Sequence, residues 1–246
     1  AGVISHYGSN DQELVQRLKP PTGEHFLGTD QLGRDVFTRV MYGGRYSLTV
    51  GIVTVAAALT VGSTLGLLAG FAGGRTDAIL MRSMDVLLAF PGILLAIAIV
   101  STRGPGLGNT MLAVAIVNIP IYARLVRSTT LSVVRREYVT AARTIGVSNL
   151  RLMFRHVLPN CYSPLVVQAT LGIGTAILDA AGLGFLGLGA QPPTPEWGAM
   201  LAGGYQFLIN APWAIAAPGG AIALTVLGFN LFGDGLRDAL DPQLRV

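Results

Sequence analysis

Residues 46–74 read YSLTVGIVTVAAALTVGSTLGLLAGFAGG, a run without one charged side chain. A helix crosses the hydrocarbon core of a bilayer with about 20 mostly apolar residues, because every backbone N–H and C=O is then bonded inside the segment. The run meets that length, and it is rich in Ala, Leu, Val and Gly with no alternation of apolar and polar positions, which excludes a barrel strand. Gly62, Gly66 and Gly70 recur at every fourth position. That spacing lines bare backbone along one helical face and predicts close packing against another helix.

Working outward, residues 104–123 and 157–178 are equally free of charge. Two further runs are expected to span, one from about Asp77 to Ser101 that carries Arg82 and Asp85 near one end, the other from Pro212 to before Asp234. The chain is 51% hydrophobic and 12% charged, where soluble domains carry roughly a quarter charged residues. The fold class is therefore all-α, a polytopic membrane protein with five visible spans. Cys161 is the only cysteine, so no intrachain disulfide forms.

Lys and Arg collect in cytoplasmic loops. The stretch from Arg124 to His156 holds Arg124, Arg127, Arg135, Arg136, Arg143, Arg151 and Arg155 against Glu137 alone, whereas 180–211 holds Glu196 and no basic residue. The first is expected inside and the second outside. Alternation then puts the turn at Gly73–Thr76 inside, the Arg103 loop outside and the tail with Arg237 and Arg245 inside. Residues 1–45 fall outside, without a signal peptide of their own, and the chain begins with Ala1. A sixth, earlier spanning helix is the expectation.

The organisation expected is an external N-terminal segment over 1–45, a transmembrane domain over 46–236 and a cytoplasmic tail over 237–246. Within the domain lie a cytoplasmic loop at 132–160 and an external loop at 180–211. In the N-terminal segment a basic, weakly amphipathic stretch from Arg34 to Tyr46 is expected to lie along the membrane surface. Phe90 and Pro91 fall deep in the second span, where proline removes a backbone bond and kinks the helix, a feature suited to gating. Arg82 and Asp85 stand three apart and are expected to pair on one face, lowering the cost of either charge in the membrane. Gly182 to Gly189 followed by Pro192, Pro193 and Pro195 cannot hold a regular helix. Glu196 and Trp197 then open a short external element, with Trp197 expected as an interfacial anchor.

The most informative loop reads Glu137-Tyr-Val-Thr-Ala-Ala-Arg-Thr-Ile-Gly146, then Val-Ser-Asn-Leu-Arg-Leu-Met-Phe-Arg-His-Val-Leu-Pro159-Asn160. Val139, Ala142 and Ile145 share a helical face, Gly146 suits the C-terminal end of that helix, and Ser148 or Asn149 suits the start of a second. In the second helix Leu150 and Phe154 share one face and Arg151 and Arg155 another, with Pro159 expected to end the unit. A small-residue helix of this kind can enter a cleft on a partner protein.

The spacing Thr140-Ala141-Ala142, three residues, Gly146, and then Leu158-Pro159 resembles the coupling loop of binding-protein-dependent ABC importer permeases. The family pattern has Glu where Thr140 stands and Ile where His156 stands. The dipeptide and oligopeptide branch tolerates both departures, and the chain is similar to that branch in Glu-Tyr-Val-x-Ala-Ala-Arg and in Arg155-His-Val-Leu-Pro-Asn160. Agreement extends through Leu27-Gly-Thr-Asp-Gln-Leu-Gly-Arg-Asp35, Phe185-Leu-Gly-Leu-Gly189, Pro192-Pro-Thr-Pro-Glu-Trp197 and Asn230-Leu-Phe-Gly-Asp-Gly-Leu-Arg-Asp238. Together these look like the C-type permease of that branch.

The resemblance implies six spanning helices in a bacterial cytoplasmic membrane and a pathway shared with a second permease subunit. It also implies two cytoplasmic ATPase subunits that bind the coupling loops and an extracytoplasmic peptide-binding protein, with no nucleic acid involved. ATP and Mg are then bound by the ATPase subunits and no cofactor or metal by this chain, whose lone Lys19 lies in no phosphate-binding Gly-x-x-x-x-Gly-Lys loop. Glu137, Tyr138, Thr140, Ala141, Ala142, Arg143, Gly146, Arg155, His156, Leu158 and Pro159 are the expected coupling residues. Gly28, Thr29, Asp30, Gly33, Arg34, Asp35, Glu196 and Trp197 are candidates for an external gate or binding-protein contact, and Arg82, Asp85, Phe90 and Pro91 for the pathway or its gating.

The cargo stays open among dipeptides, longer peptides, nickel and glutathione. A secondary transporter would carry internal repeats or broken helices in pairs with mid-membrane acids, and no repeat is visible. An intramembrane hydrolase finds no His-Glu-x-x-His pattern among His6, His25 and His156.

Overall fold

The structure, a computed structural model, describes residues 7–240. His6, Arg245 and the outermost parts of the 1–45 and 237–246 segments lie outside the described residues. Among the described residues the regular structure is helical, apart from an isolated antiparallel bridge between Thr29 and Asp35.

Helix α1 runs over Val36–Ala72, about 55 Å at 1.5 Å per residue and well beyond one hydrocarbon thickness. Asp35 caps it by accepting from the Thr38 N–H at 2.7 Å and the Thr38 hydroxyl at 2.6 Å, which satisfies donors the first turn leaves open. From Val36 the stretch over Arg34–Tyr46 forms the first turns of α1. Gly43 and Gly44 do not interrupt it, because the Trp197 indole occupies the space their side chains would need.

Positive φ values at Gly73 (64°) and Gly74 (52°) reverse the chain into α2, Gly74–Leu88. The expected kink at Pro91 is a full break instead. Helix α2 stops, α3 begins at Gly92 and ends at Arg103, and the backbone turns through 89° between them. Pro91 lacks an N–H and pushes Phe90 out of helical conformation, so three residues suffice for the turn.

Helix α4, Leu107–Val134, keeps Pro120 inside it. After α5, Glu137–Thr144, the chain enters α6 at Asn149–Arg151 and stays helical through a π-helical turn (Leu152–Val157) and a 3-10 turn (Leu158–Cys161) into α7, Tyr162–Phe185. Pro159 therefore does not end the unit, contrary to expectation. An α-helical turn would drive its ring into the Arg155 carbonyl, and widening the preceding turn to π geometry lets the helix pass it. Helix α8 spans Trp197–Tyr205 and α9 Trp213–Leu240. Helices α1, α4, α6 to α7 and α9 are long and apolar enough to span, and the bent α2–α3 pair has the length and composition of a broken fifth span or of a re-entrant loop.

The chain forms two compact units. One comprises Ala1–Val53, Ile93–Val114 and Ile173–Gly228; the other comprises Thr54–Gly92, Ala115–Gly172 and Phe229–Val246. The second is organised by the glycine stripe of α1 against α4. A Cβ on Gly62 would stand 2.7 Å from the Ile119 carbonyl oxygen and one on Gly70 2.8 Å from Thr130 Cβ, while one on Gly66 would strike the Ala123 carbonyl. The stripe thus packs backbone on backbone, as its spacing predicts.

Candidate functional site

The elbow between α5 and α6 is built around Gly146. Its φ of 83° lies in the left-handed region, and it lets the Gly146 N–H reach the Arg143 carbonyl and the Val147 N–H the Ala142 carbonyl, both at 3.1 Å. These two bonds form a Schellman closure that satisfies the last carbonyls of α5. Ser148 then takes the cap position of α6, without a side-chain bond.

Burial divides the elbow into two faces. Val139, Leu152 and Val157 are fully buried and Met153 nearly so. Facing outward are Ile145 (81% exposed), Leu150 (68%), Phe154 (57%) and Tyr138, together with Glu137, Thr140, Ala141, Arg143, Gly146, Arg155 and Pro159. His156 and Leu158 are half-buried. Asn160 closes the base, its amide donating to the His156 carbonyl at 2.7 Å and to the Tyr138 hydroxyl at 3.2 Å. The elbow rests on the end of α1, where the Arg143 guanidinium lies 5.7 Å from the Phe71 ring centroid and a groove is lined by Leu68, Phe71, Arg143, Leu150 and Met153. The elbow thus has a buried inner face and an outer face on which Ile145, Leu150 and Phe154 stand exposed beside arginines.

The Gly28–Asp35 motif turns inward. Thr29, Asp30, Arg34 and Asp35 are all buried. Asp30 accepts from the Leu32 and Arg34 N–H groups at 2.8 and 3.0 Å and from Arg34 Nε at 2.7 Å, and Asp35 meets His25 Nδ1 at 2.9 Å. The Thr29 hydroxyl donates to the Gln16 carbonyl, and the Trp213 indole to the Thr29 carbonyl at 3.1 Å. Gly28 and Gly33 hold φ of 68° and 72°. At Gly28 a Cβ would lie 2.6 Å from the Lys19 carbonyl and 2.7 Å from Trp213. These residues knot the N-terminal segment to the head of α1.

Glu196 and Trp197 also point inward. Glu196 is buried and caps α8, accepting from the Gly198 and Ala199 N–H groups at 2.9 Å and from the Ser47 hydroxyl at 3.0 Å. Trp197 is 5% exposed and donates to the Val40 carbonyl at 2.9 Å, so the expected interfacial anchor is a packing residue against α1. Phe90 and Pro91, at the break, are exposed. The expected Arg82–Asp85 pair is corrected: Asp85 accepts from Arg124 of α4 at 2.7 Å, and Arg82 projects outward. A second clasp joins Asp77 to Arg127. Sequence reasoning missed both, since their partners lie on different helices; the available signal was a pair of arginines three apart on α4 and two acids eight apart on α2.

Long apolar helices mark a polytopic membrane protein, here with a helix–glycine–helix elbow between two of its spans. The chain belongs to the family of binding-protein-dependent transport system inner membrane components, whose pattern it matches over residues 62–246. It is 56% identical over 229 residues to the dipeptide transport system permease protein DppC of Alkalihalophilus pseudofirmus, covering 93% of this chain and 75% of that protein. It is 51% identical over 251 residues to DppC of Escherichia coli strain K12, covering 100% and 84%. The glutathione transport system permease protein GsiD of Pectobacterium atrosepticum is 52% identical over 225 residues, covering 92% and 75%. The fold is that of a chain of the MetNI methionine ABC transporter solved in inward-facing conformations, with a TM-score of 0.69 at 18% identity over 83% of this chain and 97% of that one. The chain is a multi-pass permease subunit of an ABC importer.

Proposed function

We propose that this subunit forms half of the pathway for short peptides in the bacterial cytoplasmic membrane, the other half coming from a second permease. The observation that carries the coupling role is the elbow, whose inner residues Val139, Leu152 and Val157 are buried while Ile145, Leu150 and Phe154 stand out in solvent. Such a unit moves as one piece when its outer face is gripped. In this reading residues 132–160 are cytoplasmic and dock on an ATPase subunit, ATP and Mg bind to the ATPase subunits, and a soluble binding protein delivers the peptide on the other side. Closure of the ATPases is transmitted through the elbow to α4 and α7, which switch between two packings.

Dipeptides are favoured as cargo by the relatives named for them, and the glutathione relative supports a second reading. The test is reconstitution of the complete importer in proteoliposomes with native subunit or with Ile145→Asp, Phe154→Asp. Both side chains are exposed, so the variant keeps the fold; ATP-dependent uptake of labelled dipeptide is expected to fall about tenfold or more, as loss of a central apolar contact does. Uptake that persists with the ATPase subunits omitted overturns the importer reading in favour of a secondary transporter. Competition between unlabelled dipeptide and glutathione decides the cargo.

A further inference from the structure

Within the unit that holds the N-terminal knot lies a cavity of about 320 Å³, at the small end of ligand sites. Its polar lining is Asp30, Gln31, Arg34, Arg39, Gln191 and Thr194, and its apolar lining includes Pro192, Met200 and Ala214. Two guanidinium groups therefore face one carboxylate. Asp30 is already occupied by two backbone N–H groups and Arg34 Nε, and it pairs with Arg39 Nε at 3.6 Å. Arg39 Nη1 donates to the Ser9 carbonyl at 2.8 Å.

Arg34 is different. Its side chain is 7% exposed, its Nε is bound to Asp30, and among the described residues its two terminal nitrogens have no acceptor, although the residue lines the cavity. That fork matches the two oxygens of a carboxylate. Gln31 lines the same cavity, and its apolar lining suits an aliphatic chain.

We infer that this cavity is a binding site for a small monocarboxylate with a short apolar tail, held by Arg34. An added ammonium group is disfavoured by Arg39, while a neutral amide lacks the charge that Arg34 requires.

The test is a thermal-unfolding titration of the complete, purified permease complex with sodium hexanoate, using hexanamide and hexylamine as controls for detergent effects. Hexanoate is expected to raise the midpoint in a saturable way, because a ligand that binds only the folded state stabilises it, and the controls are not. Arg34→Gln is expected to weaken hexanoate by about tenfold or more. Met200→Trp fills the cavity without touching a charge and is expected to abolish the shift, which keeps the test informative where Arg34→Gln misfolds. No shift in the native complex, an equal shift with hexanamide, or a full shift in Met200→Trp overturns the site.

Discussion

Arg127 holds both oxygens of Asp77, its Nε on Oδ1 at 2.5 Å and its Nη2 on Oδ2 at 2.6 Å, and so ties α2 to α4 near the Gly73–Gly74 reversal. The planar fork fits the carboxylate where a lysine ammonium could reach only one point. Arg127→Lys is expected to cost about 1 kcal/mol, since the pair is partly exposed and screened. A double-mutant cycle with Asp77→Asn checks it. Additive single effects would show that the clasp contributes nothing.

The glycine stripe makes a sharper prediction. Gly66→Ala puts a methyl group against the Ala123 carbonyl, and overpacking of that kind costs about 1–3 kcal/mol. Gly220→Ala, also in a helix but with nothing within 4 Å of the new carbon, is expected to be neutral or to stabilise by up to about 1 kcal/mol. Thermal unfolding of the two variants in one detergent checks the difference.

Glu196 is a buried carboxylate whose charge is matched by three donors. Glu196→Ala strands the Ser47 hydroxyl and two N–H groups and is expected to destabilise by about 2–3 kcal/mol. Glu196→Gln keeps one acceptor oxygen and loses less. Trp197 fluorescence, followed through unfolding in a Trp213→Phe background, reports the local environment.

At Gly146 the space around a new side chain is open, so the cost of substitution is conformational alone. Gly146→Ala is expected to cost about 1 kcal/mol of local stability, and Gly146→Asn less, because asparagine tolerates the left-handed region. Hydrogen exchange at Val147, whose N–H closes onto Ala142, reads this out as faster exchange in Ala than in Asn.

The local patterns of this chain were legible because their causes are local. Charge-free length marks the spans, a glycine every fourth residue marks a bare face, and Gly146 between two amphipathic patterns marks the elbow. Those features depend on neighbours within one or two helical turns. Leu150 and Phe154 emerge on the outer face as their spacing suggests; Pro159 misleads because a π turn absorbs it, and Val139 and Ile145, expected on one face, separate into a buried and an exposed side chain.

What the tertiary structure decided is which partner each polar side chain takes. Asp85 sits three residues from Arg82 and pairs with Arg124 of another helix, and Trp197, free by composition to anchor at an interface, is buried over Gly43 and Gly44 of α1. The Gly28–Asp35 charges look like a surface for a partner until the fold closes Trp213, His25 and the head of α1 around them. In a low-dielectric surround a charge takes the counter-charge that packing brings nearest, whatever their separation in the chain. The sequence by itself determined the spans and the elbow, through length and periodicity; only packing decided the pairings, because it alone sets distances between residues far apart in the chain.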